Sequence, residues 1–237
     1  ISGDSGLFGT AVDTAGDIDN DGLEDFIIGV PSMNNYQGAV YVIYGGESSS
    51  FRERDIGSVL SDPDTKGFMI TGEAIGDWFG YSANSAGDLN RDGYDDIVIG
   101  APRKNKVYVV YGGSRASMSN KNLSKTRLDP LTTGFTIKGN DSDDDSEMFG
   151  SSVNTAGDVN NDGDPDIIIG ASSKKSDQGV AYVIYGGEKS SMSDIDLNIL
   201  TLDPVTTGFM ILRNSLNTSE NDDDTLVTYQ KESSQET

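Results

Sequence analysis

Three short acidic segments hold the residues of this sequence that are best suited to chemistry. The first, Asp17–Asp25, follows the pattern D-x-[DN]-x-D-G-x-x-D, and the same pattern returns at Asp88–Asp96 and Asp158–Asp166. Oxygen ligands at alternating positions allow a tight loop to wrap around one cation, and glycine at position six permits the sharp turn. Because carboxylates this close together repel one another unless a cation neutralises them, the pattern predicts three cation sites.

Calcium is the cation that these loops favour. It accepts many protein oxygens at flexible distances of about 2.3–2.6 Å, whereas magnesium demands a stricter geometry and keeps several waters. The predicted ligands are the side chains at positions one, three, five and nine of each loop, and the backbone carbonyl at position seven. These residues are Asp17, Asp19, Asp21, Leu23 and Asp25 in the first loop, Asp88, Asn90, Asp92, Tyr94 and Asp96 in the second, and Asp158, Asn160, Asp162, Asp164 and Asp166 in the third. Turns rich in Asp and Asn without a metal are the alternative, and three copies at fixed spacing weigh against it.

Other metal sites and catalytic sites fit the sequence poorly. An EF-hand needs Glu at position twelve and flanking helices, but Ile28, Ile99 and Ile169 stand there within β-branched runs. The sequence has no Cys and no His, which excludes zinc fingers, thiol catalysis and histidine-based triads. The evident carboxylate clusters belong to the loops and not to an isolated catalytic pair. The sequence therefore predicts binding and not an enzyme.

The three loops belong to a repeated unit of about 70 residues, longer than common propeller repeats. A Phe-Gly pair precedes every loop at the same distance, at Phe8, Phe79 and Phe149, and the phrases YVIYGG or YVVYGG and GFMI or GFTI follow. Each unit offers four strand candidates, of which the second and third are apolar on both faces and need cover on both sides. Stacked four-stranded sheets provide that cover, so the predicted fold class is all-β, with the units as blades of a β-propeller. Separate sandwich domains are the alternative, but the unit is short for them.

The combination of Phe-Gly, the acidic loop and the closing phrase GVP, GAP or GAS resembles the FG-GAP repeat of integrin α-subunit heads and their bacterial and protist relatives. The resemblance extends over nearly all of Ile1–Ile211. It implies blades of a calcium-binding propeller, usually seven-bladed, that serves adhesion, ligand display or extracellular scaffolding. It also assigns one calcium ion to the four acidic ligands of the first loop and one to the matching residues of each other loop. The third repeat departs from the pattern, because Ser172 replaces the proline.

The repeats also set the predicted blade boundaries. Residues 1–70, 71–137 and 138–211 are three FG-GAP blades, and residues 212–237 are a polar tail that begins a further blade or is exchanged between chains. Three blades make an incomplete ring, since propellers use four to eight. The ring is predicted to be completed by a further segment of a longer protein or by another chain through β-strand addition. Because the sequence begins with Ile1 and not with Met, we expect a processed or trimmed chain.

Charge and hydropathy restrict the partners. Asp and Glu total 39 and Lys and Arg total 17, a net charge of −22, which excludes nucleic acid as a partner and suits cations. No apolar run approaches the roughly 20 residues of a membrane-spanning helix, so no membrane insertion is predicted. Three N-x-[ST] sequons make Asn122, Asn140 and Asn217 candidate glycosylation sites.

The predicted function is that of a calcium-binding, extracellular or cell-surface propeller, acting in cell adhesion or as a structural, self-assembling surface component. Its expected partners are a protein or glycan ligand at the cell surface, and further blades or further copies of the chain. A carbohydrate-binding module is the alternative function. A propeller glycosidase is a second alternative, which would need two carboxylates with separated pKa values outside the loops.

Overall fold

The computed structural model describes residues 7–47, 57, 66–140, 147–174 and 179–212, which form three β-sheets and very little helix. The first sheet consists of β1 (Ala11–Gly16), β2 (Asp25–Val30), β3 (Ala39–Ile43), β4 (Gly67–Thr71) and, at its edge, β8 (Lys121–Asn122). The second consists of β5 (Ser82–Gly87), β6 (Asp96–Ala101), β7 (Lys106–Val110), β9 (Gly134–Lys138) and, at its edge, β13 (Ile195–Asp196). The third consists of β10 (Phe149–Gly157), β11 (Asp166–Ala171), β12 (Val180–Ile184) and β14 (Gly208–Leu212). The helical segments are α1 (Met33–Tyr36) and the 3₁₀ turns Pro102–Lys104 and Lys189–Ser191. None of the helices in the described ranges has the length and apolar character needed to cross a membrane.

Each sheet contains a meander of four antiparallel strands, one for each strand candidate of a repeat. In the first sheet Ile28 pairs with Tyr41, and Tyr41 pairs with Met69. Tyr108 and Tyr182 stand at the matching places of the other two sheets and are paired in the same way. The β-branched residues of the two central strands suit a pleated, buried surface. The all-β prediction of three repeated propeller blades is confirmed.

Two of the sheets have a fifth strand that the repeats do not reveal. β8 pairs in parallel with β4, and β13 pairs in parallel with β9, so a connection within one sheet covers the edge of the preceding sheet. The pairing continues one residue further, where the Leu123 amide donates to the Thr71 carbonyl at 3.0 Å and the Leu197 amide to the Lys138 carbonyl at 2.9 Å. A strand of two residues has no periodic signal, and for this reason the sequence predicts four strands where these sheets have five.

The sheets pack face to face through two apolar layers. One layer joins the first and second sheets and includes Ile27, Phe68 and Ile97, while the other joins the second and third sheets and includes Val98 and Ile167. Neighbouring residues Ile97 and Val98 of β6 therefore face opposite layers, as the alternation of side chains along a strand requires. Every residue of β6 is buried, and this is the physical reason for its uninterrupted apolar run.

Two of the three phenylalanines of the Phe-Gly pairs lie in these layers. Phe79 and Phe149 are fully buried. Their rings make edge contacts with Tyr108 and Tyr182 of their own sheets, at centroid distances of 5.1 and 5.3 Å. Edge-to-face packing of this kind adds to the free energy gained by burial alone.

In the second and third sheets the glycine of the Phe-Gly pair contacts the preceding sheet directly. A Cβ atom at Gly29, the glycine of GVP, would lie 2.1 Å from the Gly80 carbonyl oxygen. A Cβ atom at Gly100, the glycine of GAP, would lie 2.0 Å from the Gly150 carbonyl oxygen. The two dipeptide landmarks are therefore two halves of one contact between sheets, and this explains why they recur together.

The described residues form an open stack of three sheets and not a closed ring. The first sheet exposes Phe8 and Val12 by 55% and 66% on its outer face, whereas Phe79, which matches Phe8 in the second sheet, is fully buried. The third sheet exposes Val159 and Ile211 by 47% and 52%. Both end sheets thus present apolar side chains that the central sheet buries against a neighbour.

Candidate metal centre

Each acidic loop connects the first two strands of a sheet. The loops lie between β1 and β2, between β5 and β6, and between β10 and β11. A register shift precedes every loop at Gly16, Gly87 and Gly157, whose φ angles are 73°, 69° and 69°. A bulge of this kind bends the chain out of the ladder. Because the three sheets share one topology, the loops stand at the same end of each sheet.

The first aspartate closes each loop by accepting two backbone hydrogen bonds. The two carboxylate oxygens of Asp17 accept from the amides of Asp21 and Gly22 at 2.9 and 2.8 Å. Asp88 accepts from the amides at the same two positions at 2.9 and 2.9 Å, and Asp158 at 3.1 and 2.9 Å. The three loops therefore fold in the same way around position one.

Position four of each loop adopts the left-handed conformation, which the sequence pattern does not predict. Asn20, Arg91 and Asn161 have φ angles of 56°, 58° and 61°. Asparagine enters this region several times more often than most residues, so the two asparagines are a signal for it. Arg91 shows that the loop closure imposes the conformation on an ordinary side chain as well.

The first loop brings three carboxylates together. One oxygen each of Asp17, Asp19 and Asp21 lies within 4.8 Å of the others, and Asp19 is only 8% exposed. The structure thus assembles the predicted ligands at positions one, three and five. Asp25, the predicted ligand at position nine, lies outside this group of three.

The surroundings of Asn90, at position three of the second loop, indicate whether the predicted ligands of that loop suit a cation. Asn90 is only 1% exposed, and its amide nitrogen donates to an Asp96 oxygen at 3.3 Å. Its amide oxygen is buried and has no hydrogen-bond donor among the described residues. A buried acceptor without a partner costs about 1–3 kcal/mol, and a cation held by the loop would supply the missing partner. The donor set of this loop, built from carboxylate, amide and carbonyl oxygens, fits calcium.

The aspartate at position nine ties each loop to the Tyr-Gly-Gly phrase of its own repeat. Asp25 accepts from the amides of Ile18 and Gly45 at 3.1 and 2.7 Å. The same pair of bonds reaches Asp96 and Asp166 from the matching amides, all between 2.8 and 3.0 Å. These hydrogen bonds hold the acidic loop to the end of the third strand, although the two partners are 20 residues apart along the chain in the first and third repeats and 16 in the second.

Burial disfavours the ionised form of the position-nine carboxylates and so raises their pKa values. The pKa of Asp25 is raised to about 7, chiefly by burial and also by the charges of Asp19 and Asp21, while two backbone hydrogen bonds act in the opposite direction. Burial likewise raises the pKa of Asp96 well above its ordinary value and that of Asp166 above it. A nearby divalent cation favours the ionised form of such a carboxylate.

The residue at position seven has one role in two loops and an additional role in the third. Leu23 donates its amide to Asp21 at 2.9 Å, as Tyr94 does to Asp92 at 3.2 Å. Asp164 matches these residues, but its side chain is buried and forms an ion pair with Arg91 of the second loop. The sequence pattern assigned only the backbone carbonyl of this residue as a calcium ligand. It did not predict the ion pair between neighbouring loops.

Two further basic residues contact predicted ligands and are absent from the sequence pattern. Arg115 pairs with Asp19 and Asp21 of the first loop. Lys189 pairs with Asp92 of the second loop at 2.7 Å. The sequence does carry one signal that could have identified them. Each stands three residues after the first glycine of Tyr-Gly-Gly in its own repeat.

The repeated loop and landmark geometry agrees with a known sequence family. The family model described as FG-GAP repeat matches residues 8–43, 79–113 and 149–184. This chain carries three FG-GAP repeats. Each FG-GAP match begins at the Phe of a Phe-Gly pair and runs through the acidic loop to the third strand, so the resemblance predicted from the sequence is confirmed.

The FG-GAP repeats are similar to parts of integrin α chains. Integrin alpha-5 of Xenopus laevis is 30% identical over 209 residues, which cover 83% of this chain and 17% of that protein. Integrin alpha pat-2 of Caenorhabditis briggsae is 32% identical over 170 residues, covering 65% and 12% respectively. Integrin alpha-V of Gallus gallus is 29% identical over 185 residues, covering 78% and 16%. The chain thus matches less than a fifth of the length of each of these relatives.

The three candidate glycosylation sites have different surroundings. Asn122 lies in β8 and is half-buried, and its side-chain oxygen accepts from the Ser124 amide at 3.0 Å and the Ser124 hydroxyl at 2.6 Å. Asn140 is half-buried just after β9. Asn217 lies outside the described residues, as does the predicted tail beyond residue 212. Glycosylation of these residues stays a prediction.

Proposed function

We propose that this chain is a calcium-binding segment of an extracellular or cell-surface β-propeller that acts in adhesion or as a structural surface component. The observation that carries the proposal is the second loop, where the buried side-chain oxygen of Asn90, a proposed ligand, has no donor among the described residues. The likeness to integrin alpha chains supports the adhesive role and the cell-surface location. The activity we propose is binding and not turnover.

Calcium in the proposal fixes the loops at one end of the sheets. It supplies positive charge to oxygens that otherwise repel one another, and three divalent ions offset six of the 22 net negative charges. The proposed ligands are the fifteen residues predicted from the sequence. The first and ninth residues of each loop also hold the backbone, so they shape the site as well as bind the ion. We expect affinities on the order of 10⁻⁴–10⁻³ M, as in other extracellular calcium modules.

The proposed partners of the end sheets are further blades. The outer faces of the first and third sheets expose Val12 and Ile211 at places that match the buried contact surfaces of the second sheet. We propose that these faces meet blades from the same longer protein or from another copy of the chain, with the blade boundaries at residues 70 and 137. The completed propeller presents a surface to a protein or glycan ligand.

Thermal unfolding with and without calcium tests the calcium sites. Binding to the folded state alone stabilises it by about 2.7 kcal/mol per site when calcium is at 100 times its dissociation constant. We expect a Tm in chelator several degrees below that in calcium. Asp17→Asn, Asp88→Asn and Asp158→Asn should each remove part of this difference.

Glu24→Gln is the matched control for these variants. It removes one charge from the first loop, but Glu24 stands at position eight and is not a predicted ligand. We expect it to keep the full calcium-dependent rise in Tm. Equal melting temperatures of the parent chain in calcium and in chelator would contradict the proposal.

A further inference from the structure

A basic side chain from the second sheet contacts the acidic loop of the first sheet. Nε and Nη2 of Arg115 donate to carboxylate oxygens of Asp19 and Asp21, two of the predicted calcium ligands. The Asp19 side chain is fully buried in this contact. The guanidinium carbon of Arg115 also lies 4.8 Å from the centroid of the Tyr44 ring, a distance typical of a cation–π contact. Arg115 therefore uses oxygens that a calcium ion would need.

The same arrangement recurs between the second and third sheets. Nζ of Lys189 lies 2.7 Å from an oxygen of Asp92 and 4.9 Å from the centroid of the Tyr111 ring. Arg115 and Lys189 occupy the same place in their repeats, and both tyrosines are those of the Tyr-Gly-Gly phrase. A contact that recurs with different basic residues is a feature of the repeat and not an incidental surface ion pair.

The backbone holds both basic residues at the loops. The Gly113 amide donates to the Ile18 carbonyl at 2.9 Å, and the Gly187 amide donates to the Leu89 carbonyl at 3.0 Å. Ile18 and Leu89 are the second residues of the first and second loops. Each basic residue follows its anchoring glycine by two positions, so its side chain starts next to the ligands.

The second loop shows that the basic residue is an incomplete substitute for a cation. Lys189 pairs with Asp92, but the buried amide oxygen of Asn90 in the same loop has no donor among the described residues. An ammonium group at one carboxylate thus leaves an acceptor unsatisfied that a central cation would reach. This unsatisfied oxygen indicates a ligand independently of the acidic cluster.

Resting on the proposed calcium function, we propose that Arg115 and Lys189 are internal counter-ions that compete with calcium for the first and second loops. A positive side chain at the ligand oxygens repels a divalent ion at the same place, so calcium binds as the basic side chain leaves. At low calcium the basic residues neutralise the loops and join neighbouring sheets. At high calcium the ion replaces them, and the contact between sheets loses its ion pair.

The proposed competition reverses the order of calcium affinities that the ligands of the three loops would suggest by themselves. By carboxylate number the first loop, with four, should bind calcium most tightly, since the second and third have asparagine at position three. Arg115 occupies two ligands of the first loop and Lys189 one ligand of the second. In the third loop Arg91 pairs with the carboxylate of Asp164, whose predicted ligand atom is the backbone carbonyl, and in the described part of the chain no basic side chain forms an ion pair with Asp158 or Asp162. The expected order is therefore third, second and then first.

Calorimetric titration of the full 237-residue chain with calcium tests the competition. Asp88→Asn with Asp158→Asn leaves the first loop intact, and Asp17→Asn with Asp158→Asn leaves the second. In these backgrounds we expect Arg115→Gln and Lys189→Gln to raise calcium affinity about tenfold in their own loops. The matched control is Arg127→Gln, because Arg127 pairs with Asp194 at 2.6 Å outside the loops.

A second readout comes from melting without calcium. Arg115→Gln should lower the Tm in chelator, since it removes the internal counter-ion, and should approach the Tm of the parent chain at saturating calcium. Unchanged or weaker calcium affinity in both single-loop variants would overturn the competition while leaving the calcium sites intact. Absence of any calcium binding by the parent chain would overturn the calcium proposal itself. Should Arg115→Gln fail to fold, Lys189→Gln decides the question in the second loop.

Discussion

At the scale of single residues, two asparagines at the same loop position have different surroundings. Asn90 is buried with an unpaired side-chain oxygen, whereas the side-chain oxygen of the half-buried Asn160 accepts from the Asp162 amide at 3.0 Å. The second sheet is covered by the third, and the described residues place no sheet over the third. The difference thus arises from burial between sheets and not from the loop itself.

We expect Asn90→Asp to make folding more dependent on calcium. The substitution removes the amide donor to Asp96 and adds a charge to a buried loop, which should lower stability in chelator by at least about 1–3 kcal/mol. Calcium neutralises the added carboxylate, so the variant should recover most of this loss. The measurement is urea unfolding in chelator and in calcium.

Asn160→Asp is the matched control for Asn90→Asp. It introduces the same change at the same loop position, but at a half-buried site where water solvates the new charge. A smaller loss in chelator is expected. Equal losses for the two variants would show that burial of Asn90 does not matter.

At the scale of secondary structure elements, glycine sets the distance between sheets. The Gly100 Cα approaches the Gly150 carbonyl so closely that a Cβ atom would lie 2.0 Å from the oxygen. Both partners of this contact are backbone atoms within sheets, so neither moves without displacing a strand. The close approach lets the central strands of neighbouring sheets share one dry apolar layer.

We expect Gly100→Ala to destabilise the chain by about 1–3 kcal/mol through overpacking of this backbone contact. Gly170→Ala is the matched control, because Gly170 is the corresponding glycine of the third sheet. Its added Cβ atom would meet the Ser152 hydroxyl oxygen, a side-chain atom that can rotate away. Urea unfolding in calcium measures both effects, and equal destabilisation by the two variants would disprove the role of the contact between sheets.

At the scale of the whole molecule, the stack ends in two apolar faces. The exposed fractions of Val12 and Ile211 are 66% and 52%. Monomeric proteins rarely leave large contiguous apolar surfaces exposed, because such surfaces bind partners or aggregate. The exposed end faces of the three described sheets therefore support the proposal that further blades cover them.

We expect the isolated chain to associate as its concentration rises. Val12→Lys and Ile211→Lys should each reduce this association, since a charged side chain opposes burial of the end faces. Sedimentation velocity over a concentration series measures the effect. The control is Ile75→Lys, which alters a side chain that is 68% exposed in the connection between β4 and β5, away from both faces. Equal effects of all three variants would argue against face-to-face association.

The sequence by itself determined the repeat, the all-β class and the composition of the loops. Spacing along the chain reports these features because a hairpin loop and its two strands are local, and their side-chain pattern follows the backbone directly. The constant distance from Phe8 to Asp17, and its two copies, predicted the rigid part of each blade.

Only the tertiary structure decided which residues of neighbouring sheets contact one another. Arg115 is 96 residues from Asp19, and Lys189 is 97 residues from Asp92. The fifth strands, the buried oxygen of Asn90 and the close glycine contacts likewise depend on a neighbouring sheet. Side-chain periodicity records which face of a strand is apolar, but it does not record which distant residue packs against that face.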